Sequence, residues 1–228
     1  RISLVADRSG NSASNVLYLN GTSGNTASTP RLNAYTTDDI DVRCWASKSS
    51  WFTDDQDFGG TRPAGTGGWT FGITGSGVQG RWYFLFYQAT VAKQATVDAG
   101  SVPAFANFTG YWARVTRNSV TGDVMFYYST EGATSNPTSW TLIQTKAQST
   151  GAMDASAATN LGIGTRQDLG NGFFSGNIGR FQIRNNILDD GTGIVFDAKF
   201  YAPSKLSSSF VESSSNAATV TVNTSGDL

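Results

Sequence analysis

A chain of 228 residues with 39% hydrophobic and 12% aromatic content can bury a core, which excludes global disorder. Its 17 acidic and 16 basic residues leave a net charge of −1, with no histidine, so a Ser-His-Asp triad, a Cys-His pair and histidine-ligated zinc are all excluded. No Lys/Arg cluster occurs to neutralise phosphates, which argues against a nucleic-acid partner, and no apolar run approaches the ~20 residues of a helical membrane span, so membrane insertion is not expected.

The predicted elements are strands. Residues 1–14 read as a lead-in. Short runs rich in Val, Ile, Thr, Tyr, Phe and Trp then recur between Gly, Asn, Asp and Ser clusters, at 16–19, 40–46, 69–74, 81–88, 111–116, 124–129, 141–145, 161–164, 176–184 and 194–200. These predict an all-β fold, a two-sheet antiparallel sandwich over residues 15–203. The Ser-rich stretch from residue 204 changes character, and 204–228 reads as a connector with C-terminal strands at 209–212 and 218–223. The chain starts at Arg1 without a signal-peptide pattern and is read as a piece of a longer protein.

Three of these segments are informative. At 40–46 the single cysteine, Cys44, falls in an apolar alternation and reads as a buried thiol. At 81–88, Trp82, Phe84 and Phe86 share one face and Tyr83, Leu85 and Tyr87 the other. A strand apolar on both faces is central in its sheet or lines a covered groove; its aromatics serve a double-sided core or a platform for a sugar ring. Residues 111–146 read as a three-stranded meander, with a hairpin loop at 118–123 containing Gly122.

The motifs that carry chemistry are few. Gly75-Ser76-Gly77-Val78-Gln79-Gly80 matches the dinucleotide fingerprint, but the strand at 81–88 follows where a helix is required, so the match is a glycine-rich hairpin. The two glutamates, Glu131 and Glu212, lie far apart, so the usual carboxylate pair of a retaining glycosidase is missing. Asp54, Asp55 and Asp57 form the densest acidic group and read either as a solvated turn or as loop ligands for calcium. Asp38, Asp39 and Asp41 form a second group, read as edge protection or structural hydrogen bonding.

Several segments, taken in order, resemble known modules. Asp39-Ile40-Asp41-Val42-Arg43 followed by Trp51, then Trp69-Thr70-Phe71-Gly72-Ile73, Tyr111-Trp112-Ala113-Arg114-Val115-Thr116, Gly122-Asp123-Val124-Met125-Phe126-Tyr127-Tyr128-Ser129, Trp140-Thr141-Leu142, and the pair at 161–164 and 174–184 resemble the strands of laminin-G-like, concanavalin-A-like jelly-roll modules in bacteriophage structural proteins. The resemblance spans about residues 15–200. It implies a jelly roll on the virion surface, in a tail, fibre or capsid-surface protein within a homo-oligomeric or larger virion assembly. The chain lacks the histidine and the glutamate-rich metal strand of calcium-dependent lectins of this fold.

Together these readings point to a non-catalytic module that binds host surface glycans or another surface component. Trp51, Trp69, Arg81, Tyr83 and Tyr87 are the candidate contacts, because aromatic faces stack on sugar rings while polar groups orient the hydroxyls. The alternative is an assembly module that contacts other virion proteins, and a remote one is an Asp-based glycan hydrolase. A charged fraction of 14%, against ~25% in typical soluble domains, suits such a surface.

Overall fold

Side chains alternate across a strand, so each apolar run supplies one face to a core. The computed structural model describes residues 4–5, 16–22, 25–30, 38–51, 55–63, 67–75, 80–156, 160–166, 172–189, 191–200 and 221–224. Among them are fifteen strands and no helix, hence no helix long and apolar enough to cross a membrane. In chain order they are β1 (Leu4–Val5), β2 (Val16–Asn20), β3 (Asn25–Pro30), β4 (Ile40–Ser47), β5 (Gln56–Gly60), β6 (Trp69–Thr74), β7 (Arg81–Gln88) and β8 (Val91–Thr96), followed by β9 (Gly110–Arg117), β10 (Asp123–Ser129), β11 (Thr141–Ala147), β12 (Asn160–Ile163), β13 (Ser175–Arg184), β14 (Ile194–Lys199) and β15 (Thr221–Thr224).

Two antiparallel sheets result. The first runs β1-β2-β13-β4-β9-β10-β11, with β14 also on β13; the second runs β15-β3-β12-β5-β6-β7-β8. The core lies between them. One sheet contributes Val42, Cys44, Val115, Phe126 and Phe181, the other Phe58, Trp69, Phe71, Trp82, Phe84 and Phe86. Burial drives the Cys44 thiol well above its ordinary pKa, which keeps it protonated. The meander β9-β10-β11 forms as expected. Its hairpin loop turns at Gly122, which takes φ +77° and donates its N–H to the Asn118 carbonyl at 2.9 Å.

The strands that the apolar pattern did not announce are β1, β3, β5 and β8. β3 is polar and ends in Pro30, β5 carries two glycines, and β8 is an edge strand with little apolar alternation. Leu4 and Val5, within the segment read as a lead-in, pair with Val16 and Leu17. At the other end, Thr221–Thr224 pairs with β3 at the edge of the second sheet. The expected strand at 209–212 lies outside the described residues.

The outer face of the first sheet is also covered, by a polar layer. Asp41, fully buried, accepts from Arg43 Nη2 at 2.6 Å and from Arg114 Nη2 at 2.8 Å. Trp140 lies 5.1 and 5.0 Å from those two guanidiniums. Beside them, Arg180 makes a two-point pair with Asp197, at 2.7 and 2.6 Å. Asp41 is therefore a structural anchor on a central strand and protects no edge, while Asp39 accepts from the Ser119 N–H at 2.7 Å and steadies the β9–β10 loop.

Candidate functional site: a cleft on the outer face of the second sheet

The second face of β7 does not pack into the main core. Tyr83, Leu85 and Tyr87 form their own small cluster on the opposite side of the sheet. The register explains how Tyr83 is held. Asp57 of β5 pairs with Gly72 of β6, and Gly72 pairs with Tyr83 of β7. A Cβ at Gly72 would meet Asp57 Oδ1 and Tyr83 Cε1, each at 2.9 Å. The missing side chain lets the Tyr83 ring lie across β6, and its hydroxyl donates to Asp57 Oδ1. Burial first, then the Asp57 carboxylate, raises the Tyr83 pKa far above its ordinary value, so the phenol keeps its proton.

Asp57 is itself only 1% exposed. Its N–H donates to the Gly172 carbonyl at 2.7 Å. Gly172 sits at φ +72°, where a Cβ would come 2.2 Å from Asp57 Oδ2. Two glycines thus clear the space around one carboxylate, which in turn fixes one tyrosine.

Above this row opens a cleft of about 600 Å³, a volume within the ~300–1,000 Å³ usual for small-ligand sites. Tyr83 and Leu85 line it from β7 and Gln94 from β8, paired with Leu85. Three arginines, Arg62, Arg81 and Arg166, line it together with Asp55 and Asp57. Asp55 accepts from Thr74 Oγ1 at 2.6 Å. Arg62 stands 5.8 Å from the Tyr87 ring centroid, and its Nε is buried without a hydrogen-bond partner among the described residues. The Arg81 side chain forms no hydrogen bond or ion pair among the described residues, and its charge acts on Asp98.

The candidate contacts therefore divide. Arg81 and Tyr83 line the cleft, and Tyr87 lies beside it under Arg62. Trp51 and Trp69 do not join them. Trp51 is 2% exposed and packs on Phe105 and Tyr111, and Trp69 is fully buried against Phe84. Trp69 shares its strand face with Phe71 and Ile73, so the alternation that makes β6 a strand also turns this indole inward.

The acidic group divides as well. Asp57 is a strand residue tied to Tyr83, Asp55 is tied to Thr74, and Asp54 lies outside the described residues. Among the described residues, no group of three or more His, Cys, Asp or Glu stands where it could hold a metal ion. Arg62, Gln94, Arg166 and Gly172 escaped the sequence reading. Each is an isolated residue on a loop or edge strand, and only the sheet register brings it to the cleft.

No protein-family model matches the sequence, and no curated protein matches it either. Solved structures do match. A "putative carbohydrate binding protein" from Bacteroides ovatus superposes with a TM-score of 0.60 at 14% identity, over 92% of this chain and 60% of that one. The enzymatically active domain of tailspike protein 2 from bacteriophage CBA120 gives 0.56 at 11% identity, over 89% of this chain and 32% of that one. Domains LG4-5 of the mouse laminin α1 chain give 0.51 at 12% identity, over 83% and 46%. The chain thus spans about 60% of the Bacteroides protein and less of the other two. At these identities the likeness speaks for the fold alone, and that fold is a jelly-roll, laminin G-like β-sandwich.

Proposed function

We propose that this chain is a non-catalytic carbohydrate-binding module and that the cleft over Tyr83 and Leu85 is its sugar site. The carrying observation is the cleft itself, an apolar floor of Tyr83 and Leu85 rimmed by Arg62, Arg81, Gln94 and Arg166. Sugar sites combine an apolar surface for the C–H face of the ring with polar groups for the hydroxyls. The commitments of the titratable groups support binding over chemistry. Tyr83 keeps its proton, and the Asp57 carboxylate is hydrogen-bonded to that phenol within the sheet. The likeness to the Bacteroides ovatus protein is consistent with this reading.

The tailspike likeness and a charged fraction of 14% support placing the module on a virion surface, within a larger assembly that presents it to host glycans. Multivalent display of the chain on a glycan array tests the reading. Binding is expected from the wild-type chain and is expected to vanish in Leu85→Trp, which fills the cleft floor, at an unchanged melting temperature. Equal binding by both proteins, or none by the wild type, would refute it.

A further inference from the structure

We infer that the glycan is acidic, and that Arg62 and Arg81 receive its carboxylate or sulfate. The inference rests on the cleft being the sugar site. The chain as a whole carries a charge of −1, yet the cleft gathers three arginines against two aspartates. Asp57 accepts from the Tyr83 hydroxyl and Asp55 from Thr74 Oγ1.

Arg62 and Arg81 are left with donors to spend. The Nε of Arg62 is withdrawn from solvent and has no hydrogen-bond partner among the described residues. A buried donor without an acceptor is costly, and a ligand that supplies the acceptor relieves that cost on binding. The Nε–Nη edge of a guanidinium is a planar fork that matches the two oxygens of a carboxylate, or two of a sulfate. Tyr87 beneath Arg62 holds that fork in place before the ligand arrives. Arg81 leaves β7 beside Thr74, without an ion pair among the described residues, and brings a second positive group to the same cleft. An anionic sugar offers both guanidiniums a charged acceptor, which a neutral sugar does not.

The experiment is a solution titration of the wild-type chain with matched pairs of oligosaccharides, each neutral member beside its uronic, sialylated or sulfated counterpart. Arg62→Gln, Arg81→Gln, Arg81→Lys and Leu85→Trp are titrated alongside, with melting temperatures as a check on folding. Acidic members are expected to bind at least tenfold more tightly than their neutral partners, and added salt to weaken them, since each charge-assisted hydrogen bond is worth roughly a factor of ten or more. Each Gln variant is expected to lose about tenfold, and Arg81→Lys to recover part of it. Carboxylate and sulfate members separate the two sources of charge. If neutral and acidic partners bind alike, or the Gln variants bind as the wild type does while Leu85→Trp does not bind, the acidic ligand is refuted and the cleft stands. If Leu85→Trp binds as well as the wild type, or nothing binds, the cleft reading itself falls.

Discussion

The Tyr83 hydroxyl donates a hydrogen bond to Asp57 across two strands, over a glycine that leaves room for the ring. This single contact ties the floor of the cleft to the scaffold. It joins β7 to β5 through Gly72 of β6, and its acceptor is a carboxylate buried beneath the site.

Removing the donor exposes what the contact contributes. Tyr83→Phe leaves the buried Asp57 carboxylate short of one partner, with an expected loss of about 1–3 kcal/mol in denaturant unfolding. The pH dependence follows from the raised Tyr83 pKa. Because the folded value lies above the unfolded value of 10.0, the stabilisation is complete below about pH 10 and is lost as pH rises beyond it. Tyr83→Phe is expected to flatten that alkaline decline.

The glycines around Asp57 admit no side chain. At Gly72 an added Cβ falls 2.4 Å from the Gln56 carbonyl oxygen, and at Gly172 it falls 2.2 Å from Asp57 Oδ2 with φ at +72°. Overpacking of this kind costs about 1–3 kcal/mol. Gly72→Ala and Gly172→Ala are each expected to lower the melting temperature, and Gly172→Ala also to weaken glycan binding by displacing the Asp57–Tyr83 pair.

The polar layer on the other sheet makes opposite predictions for two of its members. Asp41→Asn leaves the buried Arg43 and Arg114 with one carboxylate fewer, an expected cost of about 3–5 kcal/mol. Arg184 has no carboxylate partner among the described residues. Burial, and after it the nearby Arg43, lowers its pKa, and its Nη1 is buried without an acceptor. Arg184→Met is therefore expected to be within about 1 kcal/mol of wild type or more stable, since a well-packed apolar residue replaces a poorly compensated charge. Equilibrium unfolding of both variants checks the contrast.

Lys48 provides a second pH signature. It is buried at the sandwich edge, donates to Gln56 Oε1 and to the Ser175 carbonyl, and lies 4.4 Å from the Phe174 ring centroid. Burial lowers its pKa from 10.5 to about 8. The unfolded chain binds the proton more tightly, so this group makes stability rise between about pH 8 and 10.5 and lowers it as pH falls through 8. Lys48→Met is expected to abolish that rise in a pH series of thermal melts.

The sequence carried most of the sandwich because its strands alternate cleanly, as in Trp82, Phe84 and Phe86 against Tyr83, Leu85 and Tyr87. It concealed β5 because Gln56–Gly60 offers one apolar side chain and two glycines, so Asp57 read as part of a solvated turn or a calcium-binding loop and not as a strand anchor. The two-faced β7 pointed to Tyr83 and Arg81. Nothing local marked Arg62, Gln94, Arg166 or Gly172, whose meeting depends on which strands pair and in what register. The tryptophans misled in the other direction. Large aromatics suggest sugar platforms, but Trp51 and Trp69 lie in the core, where their area is worth more buried.

The most direct test of the sugar site is an NMR titration of the isotope-labelled chain with the tightest-binding oligosaccharide. The amides of Arg62, Arg81, Tyr83, Leu85 and Gln94 are expected to shift together and saturably, while those of β4 and β9 on the opposite sheet stay fixed. Shifts confined to any other face of the sandwich, with these five unmoved, would contradict it.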